Sequence, residues 1–463
     1  MTALHIALEK DNQEIIKTLL SCQNIDVNIK YNLEKHSKFA DMAYKANEEK
    51  TSLCMAIEKE NIEAVRLLLS FKNINVNTPL KRKSESYRKE DQLVVEKEWW
   101  WSEEYFGKLE IKEEKTPLFI SVEKGNLEIV KLLLPCKDIQ PNLLSKSYIC
   151  YSEDNIRKQK EKLRTALHEA VEKNNAEMVQ EILKKWIVNI NLFEKVSIVI
   201  NDFTYYYAEK TALHIAVENE NNEIIGLLLS IFDINVNIIR KEYKKPQESI
   251  KEDDHNYDHW TSKKEETALI IAIEKNNVSI VQLLLAHKNI DVNQLCTFKY
   301  VKNDFSLRIM EHLKNWAYQD FGERYYIEYE NEEEAIKNKD ENNPEYYLHL
   351  PIYVDNNAFT VEMKITALNI AIKEQRIEII KLLLENEDID VNAKSFVHQN
   401  GQTEEKTALH LAVEKENQEI IKILLNQTKI DVNAKDENWK TPIEYSQNEQ
   451  IIQLFNHYVN DCA

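Results

Sequence analysis

Histidine, cysteine and carboxylate side chains are the groups in this chain that could bind a metal ion or catalyse a reaction. His168 and Glu169 resemble the start of a zinc-protease helix, which needs a second histidine one turn later. That position holds Glu172, so the zinc ligand set is incomplete. Other histidines show no metal-ligand spacing, as is the case for His255, His259, His312 and His349. The six cysteines are scattered singly, which predicts neither a zinc site nor a disulfide framework.

The glycine and acidic content of the chain also argues against catalysis. A phosphate-cradling loop needs closely spaced glycines, but only five glycines are present and no two are close together. The chain has 79 acidic residues, so neighbouring carboxylates occur throughout and mark no particular site. We therefore predict a protein that is not an enzyme and that has no bound cofactor or metal.

The charge of the chain limits its partners. A formal net charge of -19 argues against nucleic acid, because phosphate binding requires a basic surface. Basic runs at residues 81–83 and 157–164 are diluted by glutamate and are interpreted as solvated faces, although the first is also a candidate nuclear-import signal. No apolar stretch approaches the roughly 20 residues that span a bilayer, and no signal-peptide pattern is present. The sequence predicts a cytosolic protein, with the nucleus as an alternative, and no membrane insertion.

A repeated pattern organises the rest of the chain. A group like Thr-Ala-Leu-His recurs, and an asparagine in an ending like Asp-Val-Asn follows 26 residues after the threonine in all eight cases. The threonines are Thr2, Thr51, Thr116, Thr165, Thr211, Thr267, Thr366 and Thr407. The asparagines are Asn28, Asn77, Asn142, Asn191, Asn237, Asn293, Asn392 and Asn433. A constant distance within units and a variable distance between them indicate a solenoid.

Each unit contains the pattern of two short helices. In the fifth unit, Ile215 to Val217 form an apolar run, and polar residues 218–222 interrupt it. The second helix then carries an apolar stripe of Ile224, Ile225, Leu228 and Leu229. The stripe recurs in the first unit as Ile15, Ile16, Leu19 and Leu20. Because neither helix can bury its stripe alone, stacked units should share one continuous apolar core.

These motifs resemble the ankyrin-repeat family, whose units have a Thr-Pro-Leu-His turn, two antiparallel helices and a β-hairpin. The turn histidine is matched by His5, His168, His214 and His410, and the turn proline by Pro117 and Pro442. The resemblance covers eight units and a truncated ninth from residue 441. The Lys-, Asn-, Ile- and Glu-rich, glycine-poor composition is similar to that of arrays from protists with AT-rich genomes. The resemblance implies a mainly α fold: a single ankyrin-repeat solenoid over residues 1–463, made of helix-turn-helix units with extended β-hairpin fingers along one edge.

Two positions depart from the family pattern. Where the family places glycine between the helices, this chain has mostly polar residues, and only Gly125 is retained. After the second helix it has Asn or Asp instead of glycine. Since Asn and Asp tolerate left-handed backbone best among other residues, we expect them to form left-handed caps there. Those positions are Asn24, Asn73, Asp138, Asp233, Asn289 and Asp388.

Long insertions separate the units, and all lie between the Asp-Val-Asn ending and the next threonine. The longest cover residues 78–115 and 294–365. Alternating residues predict a hairpin over 196–207, and Asn400-Gly401 predicts a tight turn in another. Within the longest insertion we expect a helix over 308–321 and strands over 324–330, 346–354 and 359–365. Trimming these fingers should leave the helical core intact.

Aromatic residues are concentrated in the insertions. Tyrosine and tryptophan dominate binding hot spots, but aromatic pairs also pack neighbouring strands, so both interpretations stay open. The candidate partner-binding residues are Trp99, Trp100, Trp101, Tyr105, Phe106, Tyr205, Tyr206, Tyr207, Trp260, Trp316, Tyr325, Tyr326, Tyr346 and Tyr347. By contrast, a Glu-Lys pair repeated at the end of the first helices, as in Glu58-Lys59, is interpreted as a solvated stripe with little specificity.

The resemblance implies a non-catalytic scaffold or adaptor that binds a protein partner through its fingers and its concave face. The alternative is the substrate-recognition subunit of a larger enzyme complex such as a ubiquitin ligase. The last residues, with the apolar positions Ile451, Ile452, Leu454 and Phe455, read as a polar terminal cap. No capping repeat precedes Thr2, so we expect a frayed first unit or further repeats on the amino-terminal side.

Overall fold

A computed structural model describes residues 2–22, 24–39, 42–88, 107–153, 156–201, 203–244, 262–302, 359–399 and 402–461. Each of the eight units begins with its repeated threonine, whose extended backbone precedes the first helix. The threonine hydroxyl caps this helix, as where Thr116 Oγ1 accepts from the Phe119 amide at 3.2 Å. The first helices are α1 (Ala3–Glu9), α3 (Ser52–Glu58), α5 (Pro117–Glu123), α7 (Ala166–Glu172), α9 (Ala212–Glu218), α11 (Ala268–Glu274), α13 (Ala367–Lys373) and α15 (Ala408–Glu414).

A single residue with left-handed backbone follows each first helix and turns the chain back. Glu220 has φ of 56° and Gly125 has φ of 73°. The Asn side chain that follows usually caps the second helix; Asn221 Oδ1, for example, accepts from the Ile224 amide at 3.0 Å. The second helices are α2 (Gln13–Leu20), α4 (Ile62–Leu69), α6 (Leu127–Leu133), α8 (Ala176–Leu183), α10 (Asn222–Leu229), α12 (Val278–Leu285), α14 (Ile377–Leu384) and α16 (Gln418–Leu425).

The predicted left-handed caps after the second helices are wrong. In the part of the chain that the structure describes, none of the Asn and Asp residues assigned to them has positive φ. The second helices instead end in right-handed backbone, as at Ser70 and Ser230, and a short turn follows. The left-handed position lies between the helices, where Asp11, Glu60, Glu220 and Glu416 adopt it without being glycine.

Stacked units share the apolar core that the repeat predicts. Ile224, Ile225 and Leu228 are fully buried, and the same cluster runs from the first unit to the last. In the first unit, however, the expected core residue Ile15 is 49% exposed. Its equivalents in later units, such as Ile224, are buried, and so is its neighbour Ile16.

The described parts of the insertions form one antiparallel sheet of 14 strands paired in chain order. The strands are β1 (Lys30–Phe39), β2 (Met42–Thr51), β3 (Leu80–Arg88), β4 (Gly107–Lys115), β5 (Ser145–Glu153), β6 (Ile156–Arg164), β7 (Phe193–Ile200), β8 (Phe203–Thr211), β9 (Arg240–Lys244), β10 (Ser262–Glu266), β11 (Cys296–Lys302), β12 (Phe359–Ile365), β13 (Ser395–Gln399) and β14 (Gln402–Lys406). The hairpin expected over 196–207 and the strand expected over 359–365 are present.

Neighbouring hairpins pair with one another, so the fingers join into one sheet along the edge of the solenoid. β7 and β8 form one hairpin, but β7 also pairs with β6 and β8 also pairs with β9. Trimming this hairpin would therefore break two further ladders. The helix expected over 308–321, the strands over 324–330 and 346–354, and the Asn400-Gly401 turn lie outside the described residues.

The chain ends in a short 3-10 helix (Pro442–Tyr445) and a longer helix, α17 (Glu449–Asp461). Ile451 and Phe455 of α17 are buried as predicted, but Ile452 is 37% exposed. In the part of the chain that the structure describes, no helix combines the length and the apolar character needed to cross a membrane.

Candidate functional site

The first helices and the sheet form two walls of an open groove, here called the helix–sheet groove. Side chains alternate between the two faces of a strand. Lys210 on β8 faces the helices, because its Nζ lies 2.8 Å from Glu218 at the end of α9. Residues two apart from Lys210 along β8 face the helices as well. One opening in the groove, about 590 Å³, is lined by α3 and α5 on one side and β3 and β4 on the other.

A row of ion pairs joins the two walls. The lysine before a repeated threonine reaches the glutamate at the end of the following first helix, eight residues later. Lys50 Nζ lies 2.9 Å from Glu58, and Lys115 Nζ lies 2.8 Å from Glu123. Lys50 and Glu58 are only 13% and 14% exposed. The glutamate of the repeated Glu-Lys pair is thus held by the sheet in these units, which corrects its interpretation as part of a solvated stripe.

Proton equilibria in this row are governed by burial and by the paired charges. Burial of Lys50 would lower the pKa of its ammonium group, but the hydrogen bond and charge of Glu58 outweigh that cost and raise the pKa. Lys50 therefore stays charged, and its charge is matched by Glu48 and Glu58. The basic run 81–83 lies in β3, and its charges are also paired with glutamates. Arg82, for example, lies 2.7 Å from Glu48. These positive charges are neutralised locally instead of forming a basic surface.

The most buried ion pair of the groove involves Arg240 on β9 and Glu266 on β10. Arg240 is 5% exposed and Glu266 is 0% exposed. The guanidinium group donates through Nε to Glu266 Oε1 at 2.9 Å, and it also contacts Glu218 at the end of α9. Burial raises the pKa of the Glu266 carboxyl group, and the charge of Arg240 opposes that rise. The Glu266 carboxyl group therefore depends on Arg240 for its charged form, whereas the guanidinium group is always charged.

The repeated histidines are structural. His214 is 1% exposed, its Nδ1 lies 2.8 Å from Thr211 Oγ1, and its Nε2 lies 3.0 Å from the Ile238 carbonyl oxygen. The carbonyl oxygen requires a proton on Nε2, and the Thr211 backbone amide donates to Nδ1 at 3.2 Å, so Nδ1 is an acceptor and the ring is neutral. Burial lowers the pKa of His214 to about 3. In the seventh unit Asn369 replaces the histidine and donates to the Ala393 carbonyl oxygen at 3.2 Å.

The seventh unit, residues 366–392, departs from the groove pattern. Ile365 stands where four other units have the lysine before threonine, and Lys373 stands where the other seven units have the glutamate. Lys373 Nζ contacts Met363 Sδ at 3.3 Å. Among the described residues, no carboxylate oxygen lies within 4.0 Å of that ammonium group. A second opening of about 280 Å³ is located here, lined by residues of α11, α13, β10, β11 and β12.

Of the candidate aromatic residues, the structure describes only Tyr205, Tyr206 and Tyr207 of β8, where a register shift in the pairing with β7 falls at Tyr205. Tyr206 lies on the same face as Lys210, and burial raises the pKa of its hydroxyl. Tyr207 lies on the opposite face and stacks on Tyr243 of β9 with ring centroids 5.9 Å apart. The Tyr207 ring thus packs two neighbouring hairpins together. The other candidates lie outside the part of the chain that the structure describes. They are Trp99, Trp100, Trp101, Tyr105, Phe106, Trp260, Trp316, Tyr325, Tyr326, Tyr346 and Tyr347.

Two exposed aromatic residues were not singled out from the sequence. Trp186 and Phe232 are each 90% exposed and occupy equivalent turns after the second helices of adjacent units. Lys288 Nζ of the next unit lies 5.6 Å from the centre of the Phe232 ring. The sequence does distinguish them, because both stand 21 residues after a repeated threonine, at a position that is polar in most other units. No group of three or more metal-ligating side chains occurs within the described ranges.

Comparisons with known proteins agree with this architecture. A family model described as ankyrin repeats in three copies matches residues 142–240 and 334–436. A model of the single ankyrin repeat matches residues 1–32, 113–146 and 264–296. No curated protein matches the chain. The crystal structure of EF0377, an ankyrin repeat protein, is similar with 18% identity over 62% of this chain and 93% of that chain, at a TM-score of 0.32.

The family matches fall on the same helix pairs that the repeat and the structure define, and together they span more than half of the chain. Ankyrin repeats generally mediate protein–protein interactions and are typically not catalytic. The chain belongs to the ankyrin-repeat family.

Proposed function

We propose that the chain is a non-catalytic scaffold that binds an extended segment of a protein partner along the helix–sheet groove. The observation that carries the proposal is the second wall of the groove. Because the hairpins pair into a sheet, the groove has a continuous strand-lined side opposite the first helices. A partner segment there could contact exposed side chains from several consecutive units.

The ion pairs of the groove support binding of a protein segment over binding of a polyanion. Arg82, Lys50 and Lys115 are already matched by glutamates, so they offer nucleic acid few unpaired charges. The apolar side chains of Leu80 and Ile120 are part of the lining of the 590 Å³ opening. A mixed lining of this kind suits a peptide with both apolar and polar side chains.

The cytosolic location predicted from the sequence fits this proposal, and the substrate-recognition role remains an alternative that would use the same groove. The candidate aromatic residues of the insertions are proposed to extend the contact surface. Tyr206 is the described member of that set on the groove side of the sheet, whereas Tyr207 serves first to join two hairpins.

Selection of peptides from a displayed random library against the intact chain tests the proposal. Selected peptides should bind less tightly to Lys124→Glu, since Lys124 is an exposed lysine that lines the groove. Lys131→Glu is the matched control, because Lys131 is an exposed lysine on the second helix of the same unit. Equal binding to both variants would contradict the groove. Loss of binding in Trp186→Ser with Phe232→Ser would place the surface at the turns instead.

A further inference from the structure

The seventh unit combines several departures from a pattern that other units share. Lys373 and Glu374 reverse the Glu-Lys order of the first-helix end, and Ile365 stands where four other units have a lysine that pairs with the glutamate. Arg376 replaces the Asn that caps the second helix, and it makes no side-chain cap hydrogen bond. In a repeat array, a concentration of differences in one unit marks a place where the uniform scaffold is specialised.

The pocket beside these residues has an apolar floor. Phe298, Ile365 and Ile370 are between 4% and 8% exposed, and Met363 is partly buried against the same core. These residues belong to β11, β12 and α13, so both the sheet and the first helix contribute apolar side chains to the pocket. The pocket volume of about 280 Å³ can take one or two side chains of a bound segment, but not a folded element.

Within the described residues, Lys373 has no carboxylate partner in this pocket. Lys264 is matched by Glu274, with its Nζ 3.2 Å from the carboxylate, and it also lies over the Phe298 ring. Lys373 is half-buried, and the one hydrogen bond found for its ammonium group in the described part of the chain goes to the Met363 thioether, a weak acceptor. Burial lowers the pKa of Lys373. A ligand carboxylate would satisfy the ammonium group in an environment of reduced polarity, where such a pair is strong.

We propose that the Lys373 pocket recognises an acidic residue, flanked by an apolar residue, in the extended protein segment bound along the helix–sheet groove. This inference rests on the proposed function, since it names the chemistry of the segment at one point of the groove. The acidic side chain pairs with Lys373 Nζ, and the apolar neighbour packs on Phe298, Met363 and Ile370.

The surrounding charges favour a carboxylate over a phosphate group. Glu274 and Glu374 line the same pocket, so a doubly charged phosphate would face two carboxylates while meeting one unpaired ammonium group. A single carboxylate requires only the charge that Lys373 supplies. The same two glutamates would attract a basic side chain, but such a partner would leave Lys373 unpaired and place a second positive charge near it.

Library selection on the intact chain and on Lys373→Glu and Lys373→Met tests the inference. Peptides selected by the natural chain should share an acidic residue next to an apolar one, and both variants should lose this preference. Lys373→Met keeps an apolar side chain of similar length, so it remains informative if Lys373→Glu is unstable. Lys422→Glu, an exposed lysine on α16, is the control for a general effect of charge.

A selected peptide then allows a pairwise measurement by fluorescence anisotropy. Replacing its acidic residue by the corresponding amide, or Lys373 by Met, should each weaken binding at least tenfold, and both changes together should cost little more than one. Peptides selected without an acidic preference, or additive losses, would overturn this inference while leaving the groove proposal intact. Failure to select any peptide would count against the groove itself. Binding that needs removal of residues 303–358 would show that the chain occupies its own pocket.

Discussion

The side-chain amide of Asn237 donates to the carbonyl oxygen of Asn289 in the next unit at 2.7 Å. Its own oxygen accepts from the backbone amide of Asp291 at 2.8 Å. The same two bonds recur from Asn28, Asn77, Asn142, Asn191, Asn293 and Asn392. The asparagine that ends each repeat is therefore one step of a ladder that joins the turns of successive units.

Asn237→Asp should weaken this ladder, because aspartate keeps the accepting oxygen but loses the donor and places a carboxylate against a carbonyl group. We expect a loss of about 1–2 kcal/mol in the free energy of unfolding, the range for one intramolecular hydrogen bond and the desolvated group it leaves. Denaturant titration measures the loss. Asn433→Asp is the control, since no cross-unit bond is found for Asn433 within the described residues. An equal loss in this variant would mean that the cross-unit hydrogen bonds do not stabilise the fold.

The residue between the helices forms a second ladder that explains why glycine is not needed there. Asp11, Glu60 and Glu220 accept from the capping asparagine of the next unit, with Asn277 Nδ2 lying 2.9 Å from Glu220. The left-handed backbone costs a residue other than glycine about 1 kcal/mol, and this hydrogen bond offsets part of that cost. Gly125 has left-handed backbone but no side chain to accept.

Gly125→Ala should therefore destabilise the chain by about 1 kcal/mol, because alanine carries the left-handed cost without a hydrogen bond. An added Cβ at Gly125 meets no atom within 4 Å, so steric clash does not contribute. Gly125→Asn should be close to neutral, since asparagine tolerates this backbone and can accept from Asn175. Thermal unfolding of the two variants separates these effects, and equal losses would exclude the second ladder.

The buried histidines predict a loss of stability in acid. The pKa of His168 is lowered to about 4 and that of His214 to about 3, from an ordinary value of 6.5. Below pH 6.5 the unfolded chain binds protons that the folded chain excludes, so each histidine removes up to about 1.4 kcal/mol per pH unit down to its folded pKa. Above pH 6.5 both states are neutral and this effect vanishes.

The variant His214→Asn isolates that effect, because Asn369 occupies the same position in the seventh unit and makes an equivalent bond. The free energy of unfolding should decrease between pH 7.5 and pH 5.0 in both proteins. The decrease should be smaller in the variant, by up to about 2 kcal/mol. Denaturant titrations at the two pH values give this difference. An unchanged fall would mean that His214 is not neutral in the folded state.

Much of this architecture is visible in the sequence because it is local and periodic. The threonine cap, the two helices and the apolar stripe at Ile224 and Ile225 depend on neighbours at fixed spacing. The 14-stranded sheet depends on pairing between hairpins that are separated by whole units, which periodicity does not encode. The eight-residue spacing of Lys50 and Glu58 was present in the sequence, but it has meaning only once β2 is known to run into α3. The position of Lys373 likewise has meaning only once β12 is known to run into α13.

Arg240→Met should be the most damaging change in the groove. It leaves the Glu266 carboxylate buried without its charge partner, and breaking a buried pair in this way costs about 3–5 kcal/mol. Arg82→Met is the control, because Arg82 is 41% exposed and its loss should cost about 1 kcal/mol or less. Adding Glu266→Gln to Arg240→Met should restore part of the stability. Similar losses in the two single variants, measured by denaturant titration, would contradict the buried pair.

Shortening the hairpin of β7 and β8 tests whether the sheet acts as one unit. Replacing residues 198–206 by Asn-Gly joins the paired residues Ser197 and Tyr207 through a two-residue turn. The change removes the partners of Lys160 on β6 and Lys244 on β9, so amide exchange at both neighbouring strands should accelerate. Exchange in α10 should stay slow, because its core contacts at Ile224 and Leu228 are untouched. If β6 and β9 keep their protection, each hairpin is stable by itself and the fingers can be trimmed one at a time.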